Sequence, residues 1–118
     1  MKVMLMVMAL MQAQPLWDAN HFEGAWAIRR DGGRESCRVV LKGTSDPQNP
    51  KLGYILNADQ RCLERIGLKG AAHWTTIPGG IRILSSEGKF MGSYSRLNAD
   101  TLKGWAPPRV RYTMTRDR

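Results

Sequence analysis

The chain has 118 residues, 42% of them hydrophobic, and carries a net charge of +8 from 18 Lys and Arg against 10 Asp and Glu. That length allows one domain with one core, burying roughly two-thirds of the surface that the unfolded chain exposes. It excludes a second domain, and the longest apolar run falls far short of the ~20 residues that a membrane-spanning helix needs.

Residues 1–13 differ from the rest. A positive start at Met1-Lys2, an apolar run from Val3 to Met11 and a small residue at Ala13 have the layout of a secretory signal peptide. A buried N-terminal helix or strand is the alternative, but five of the seven methionines fall here, a composition better suited to a leader than to a core. Cleavage after Ala13 removes only Lys2, leaving a mature charge of +7. The expected location is periplasmic or secreted. Residues 14–23 then form an N-terminal arm, with Pro15 unable to donate to a strand ladder, and residues 24–118 form the folded domain.

From Gly24 onward the pattern is short runs of period two separated by turn residues, the signature of strands. The first covers residues 25–29 and ends at Asp31-Gly32-Gly33. The second covers 36–42, with Cys37, Val39 and Leu41 on one face. A polar loop with two prolines, residues 43–50, leads to a strand over 51–56. Residues 57–70 lack alternation and carry Cys62, Leu63 and Ile66 at helical spacing, which predicts a turn of helix or an irregular connection. Strands resume at 72–76, and a hairpin over 81–85 and 89–95 turns at Ser86-Glu87-Gly88. Strands over 102–105 and 110–114 close the series across Pro107-Pro108.

Short strands with regular turn signals and no long helical pattern predict an all-β fold, a small eight-stranded antiparallel up-and-down barrel of lipocalin-like kind. Closure also removes the edges that a small open sheet would expose. No internal repeat or low-complexity segment is present. Cys37 and Cys62 are the only cysteines. In an exported chain the even count argues for one disulfide, with two buried free thiols as the alternative.

Catalytic chemistry finds little footing. The two histidines, His21 and His73, share no metal-ligand spacing with the cysteines or carboxylates. No glycine-rich phosphate loop occurs, and no carboxylate pair suggests acid–base work. The sequence therefore predicts no enzyme, no metal site and no cofactor. His73 reads as an ordinary strand residue and His21 as a solvated one. The arginines are spread along the chain without the aromatic interleaving of an RNA-binding module, so no nucleic-acid partner is expected. A solvated basic surface, or steering toward an acidic partner, accounts for them.

Gly24-Ala25-Trp26 is a barrel-closing motif. The glycine lets a large ring fold over the end of the barrel, where an arginine from the last strand lies over it in lipocalin-like folds. Arg109 and Arg111 are the candidates for that arginine.

Taken in order, several segments resemble the bacterial alkaline protease inhibitor family, inhibitors of serralysin-type zinc metalloproteases. Gly24-Ala25-Trp26-Ala27-Ile28 resembles its first strand and Cys37-Arg38-Val39-Val40-Leu41 its cysteine-bearing second strand. Cys62 resembles its second cysteine, and Ala72-His73-Trp74 its central tryptophan. Gly79-Gly80-Ile81-Arg82-Ile83-Leu84 and Glu87-Gly88-Lys89-Phe90 resemble the strand and hairpin that follow. The resemblance spans residues 22–94. It implies an eight-stranded barrel with a Cys37–Cys62 disulfide, whose N-terminal arm enters the cleft of a secreted zinc metalloprotease; the chain itself is expected to be a monomer. By position that arm is Gln14, Pro15, Leu16, Trp17 and Asp18, although these residues do not match the family's arm one by one. From Gln14 to Phe22 an extended chain reaches roughly 30 Å. A terminal amine at Gln14, with an ordinary pKa of about 8, can ligand the protease's zinc; cyclisation of the glutamine would leave only a lactam oxygen. The competing reading is an exported lipocalin-like barrel that binds a small apolar ligand or another envelope protein. Large mid-strand side chains that fill the interior count against it.

Overall fold

A computed structural model of the protein describes residues 16–118. The leader expected over residues 1–13, and Gln14 and Pro15 of the arm, lie outside the described residues.

Eight strands close into an antiparallel up-and-down barrel, each paired with its sequence neighbours and β1 with β8. They are β1 (Gly24–Arg30), β2 (Ser36–Ser45), β3 (Tyr54–Ala58), β4 (Ala71–Ile77), β5 (Gly80–Ser85), β6 (Phe90–Asn98), β7 (Thr101–Ala106) and β8 (Val110–Arg116). A six-residue helix, α1 (Gln60–Arg65), lies between β3 and β4. The strand order follows the turn residues that the sequence displays. Several boundaries differ from the sequence pattern: β6 runs on to Asn98 and β8 to Arg116. β2 runs on to Ser45, and the third strand starts at Tyr54 because Pro50–Leu52 forms a 3-10 turn that Gly53 ends at φ +98°. A residue with a Cβ is strained at that angle.

Alternate side chains of each strand point inward and fill the barrel. Trp26, Ile28, Val39, Leu41, Trp74, Ile81, Ile83, Tyr94, Leu102, Tyr112 and Met114 are all buried. Tyr94 needs special room. A Cβ on Gly104 would lie 2.3 Å from the Ser93 carbonyl and 2.4 Å from the Tyr94 ring, so only glycine fits there.

The two ends are stoppered differently. At one end α1 crosses the opening. The Asp59 side chain accepts a bond from the Arg61 amide and caps the helix, and Gln60 ties it to β4 by donating to the Ala71 carbonyl and accepting from the Gly70 amide. Leu63, Ile66 and Leu68 are buried, and the Tyr112 hydroxyl donates to the Ile66 carbonyl at 2.6 Å. A Cys37–Cys62 disulfide, Cα atoms 5.8 Å apart, fastens the helix to β2. The pairing implied by the resemblance is therefore present, and the free-thiol alternative is not.

At the other end the stopper is the segment before β1. Ala19–His21 forms a 3-10 turn and delivers Phe22 into the core, 1% exposed. His73, read as an ordinary strand residue, is buried. Its Nδ1 lies 3.4 Å from the Ser85 carbonyl and its Nε2 3.1 Å from Asp46 Oδ2.

Candidate functional site

The end stoppered by Phe22 carries the residues singled out as an arm, and it is built from Trp26 outward. The indole lies across the barrel, 1% exposed, and its Nε1 donates to the Phe22 carbonyl at 2.8 Å. Gly24 stands beside it at φ +117°. The arginine over the ring is Arg116, its guanidinium carbon 4.1 Å from the ring centre. Neither Arg109 nor Arg111 fills this place. β1 and β8 are antiparallel, so Trp26 pairs with Arg116 at the end of β8, while Arg111 at its start pairs with Trp105. Arg116 also donates to the carbonyls of Glu23 at 2.8 Å, His21 at 3.0 Å and Ala99 at 3.1 Å. Partial burial lowers its pKa from the ordinary arginine value, opposed by the charge of Asp100. One guanidinium thus binds the pre-strand segment, the β6–β7 turn and the indole together.

Outside this plug the chain continues along the rim. Trp17 is half-buried, with the Arg96 guanidinium 4.2 Å from its ring centre and the His21 ring edge-on at 4.9 Å. Leu16 pairs with Pro78 of the β4–β5 turn in an isolated bridge, yet its side chain stays 65% exposed. Asp18 is exposed and accepts a backbone bond from the His21 amide. Leu97, 66% exposed, follows Arg96 on β6. Leu16, Trp17 and Asp18 are thus brought together on one rim with Pro78, Arg96 and Leu97. His21, read as solvated, is exposed but also stacks on Trp17.

This geometry shortens the reach inferred from the sequence. Residues 16–22 are bonded to the barrel and do not extend from it. If cleavage follows Ala13, the segment ahead of Leu16 is two residues, about 7 Å extended. Sequence reasoning missed Arg96, Pro78 and Leu97 because cation–aromatic and rim contacts of this kind leave no periodic trace. Arg116 was within reach of an argument from strand polarity.

Among the described residues no group of three or more His, Cys, Asp or Glu side chains is arranged to hold a metal ion. A family model described as protease inhibitor Inh matches residues 16–116, nearly the whole barrel and its rim segment. The chain belongs to this family of protease inhibitors. For an Inh-family member the partner class is a protease. Among solved structures, the crystal structure of a psychrophilic marine protease MP inhibitor superposes with a TM-score of 0.65 at 18% identity, covering 86% of this chain and 100% of that one. At that identity the likeness bears on the fold, and it agrees with the closed barrel described above. No curated protein sequence matches the Inh-family chain.

Proposed function

We propose that the protein inhibits a secreted serralysin-type zinc metalloprotease by setting the rim around Leu16 against the mouth of the cleft, with Gln14 and Pro15 entering it. The observation that carries this reading is the exposed Leu16, held at the rim by its bridge to Pro78. A large aliphatic side chain kept in water by a backbone pairing is suited to a pocket on a partner. Leu97 extends the same apolar rim. Pre-ordering by Arg96, His21 and Arg116 lowers the conformational entropy that docking must overcome. If only two residues precede Leu16, the barrel itself lies close to the protease, so occlusion comes from the rim as well as from the inserted residues. A ligand-carrier role has less support, because Trp26, Trp74, Tyr94 and Tyr112 occupy the space where a ligand would sit.

The test is a panel assay of the mature protein against secreted zinc metalloproteases, with serine proteases as controls. Inhibition confined to the metalloproteases, and weakened at least about tenfold by Leu16→Glu, is the expected result. Inhibition of the serine proteases alone overturns the metalloprotease assignment.

A further inference from the structure

We propose that the outer face of β5–β8 is a second binding surface, suited to an acidic polysaccharide whose pyranose rings carry carboxylates. These four consecutive strands contain no Asp or Glu, and Arg82, Lys103 and Arg111 occupy their outward-facing positions, whereas Arg96 and Arg116 turn to the rim. One transverse row of residues runs Arg82, Ser93, Trp105, Arg111, each paired with the next across the sheet. Strands lie ~4.8 Å apart, which places arginine backbones about 5 Å to one side of the Trp105 backbone and about 10 Å to the other. Trp105 is 45% exposed and shares a cleft with Arg109 and Arg111. Ser93, Ser95 and Lys103 line the neighbouring cleft along the same face. The carboxylate at its margin, Asp31, accepts a bond from the Thr113 hydroxyl at 2.7 Å.

An exposed indole between arginines, with serine hydroxyls alongside, matches one partner chemistry better than its rivals. The flat indole offers a platform for the apolar face of a sugar ring, the guanidiniums take carboxylates in bidentate fashion, and the hydroxyls meet ring hydroxyls. A single-stranded nucleic acid asks for successive aromatic platforms, one for each base. Here Phe90 packs on Trp105 at 5.5 Å with the rings inclined by 58°, so the pair does not offer parallel faces for successive bases. An acidic peptide has no strand edge to join, because the sheet is closed. The positive face supplies the complementary charge, in a chain whose net charge is +8.

Position separates this face from the inhibitory rim. Trp105 stands near the β7–β8 turn, at the helix-stoppered end, whereas Leu16 and Leu97 lie at the opposite end. The proposal does not depend on which protease the rim meets.

The experiment is titration calorimetry of the mature protein with oligogalacturonate, and with dextran, oligo(dT) and polyglutamate in parallel. Expected are saturable binding of the uronate, none of dextran, and at least about tenfold weakening by Trp105→Ala and by the pair Arg109→Gln with Arg111→Gln. Arg61→Gln, on α1, removes one positive charge outside these strands and should leave binding unchanged. The arginine pair reports on the face even if Trp105→Ala folds poorly. Equal weakening by Arg61→Gln reduces the effect to bulk charge and overturns the proposal, as does an absence of uronate binding. Tighter binding of oligo(dT) or polyglutamate through the same residues overturns the choice of partner.

Discussion

Trp26 shows how one residue links the barrel to the end proposed to meet the protease. Its ring is buried, its Nε1 fixes the Phe22 carbonyl, and Arg116 covers its face. Replacing Trp26 by Ala should cost on the order of 3–5 kcal/mol by removing this packing. It should also loosen Phe22 and with it the rim, so inhibition should fall along with the melting temperature. Arg116→Ala should cost about 2–3 kcal/mol, since one guanidinium supplies three carbonyl bonds and an aromatic contact. Denaturant unfolding checks both, and a cost under about 0.5 kcal/mol for Arg116→Ala would mean that the clasp contributes little. Gly24 and Trp26 were legible in the sequence because a glycine ahead of a tryptophan at a strand start has a steric meaning. Their partner was misassigned because the last strand was considered without its polarity. Tyr94 was not legible at all. Its hydroxyl is buried with no hydrogen-bond partner among the described residues, and burial holds its pKa above the ordinary tyrosine value.

Among the elements, α1 and the β2–β3 loop are each fastened by a crosslink, and the two crosslinks differ in chemistry. The disulfide holds α1 across the barrel and closes a separation of 25 residues. Replacing Cys37 and Cys62 together by Ala should lower stability by roughly 3–4 kcal/mol, measurable by denaturant unfolding of the oxidised protein against the variant. The loop is held by Asp46. Its carboxyl sits below the ordinary value of 3.8 because the Gln48 amide, and then His73, bond to it. A carboxyl with a lowered folded-state pKa stabilises above the unfolded value, and the effect is lost as pH falls through the folded one. Asp46→Ala should therefore melt below the wild type at pH 7, and the difference should shrink as pH drops below 3.8. Melting curves across that range are the check, and a gap that stays constant would assign the loss to packing. Strand positions were readable because turn residues and period-two burial are local. The helical spacing of Cys62, Leu63 and Ile66 was readable for the same reason. The His73–Asp46 pair joins residues 27 apart in sequence and has no local signature.

At the scale of the whole molecule, the barrel keeps its stability and its proposed contact surface in different places. The core is closed by Phe22 and Trp26 at one end and by α1 at the other, while Leu16 lies outside both stoppers. Removing residues 14–16 should therefore leave the melting temperature nearly unchanged. Removing residues 14–18 also takes away Trp17, which packs against the core's edge and under Arg96, and should lower it by a few degrees, as about 1 kcal/mol does in a domain of this size. Inhibition should behave in the opposite order of sensitivity. Most of it should vanish with the first cut, because the inserted residues and Leu16 are gone, and the second cut should add little. A form that keeps the leader should also inhibit weakly, since additional chain ahead of Gln14 blocks its entry into the cleft. The measurement is the inhibition constant of each form against the metalloprotease identified by the panel, set beside its melting temperature. If the form lacking residues 14–16 inhibits as well as the intact protein, insertion is not the mechanism. Docking of the Pro78, Arg96 and Leu97 rim would then have to carry the whole effect, and Leu97→Glu should abolish it.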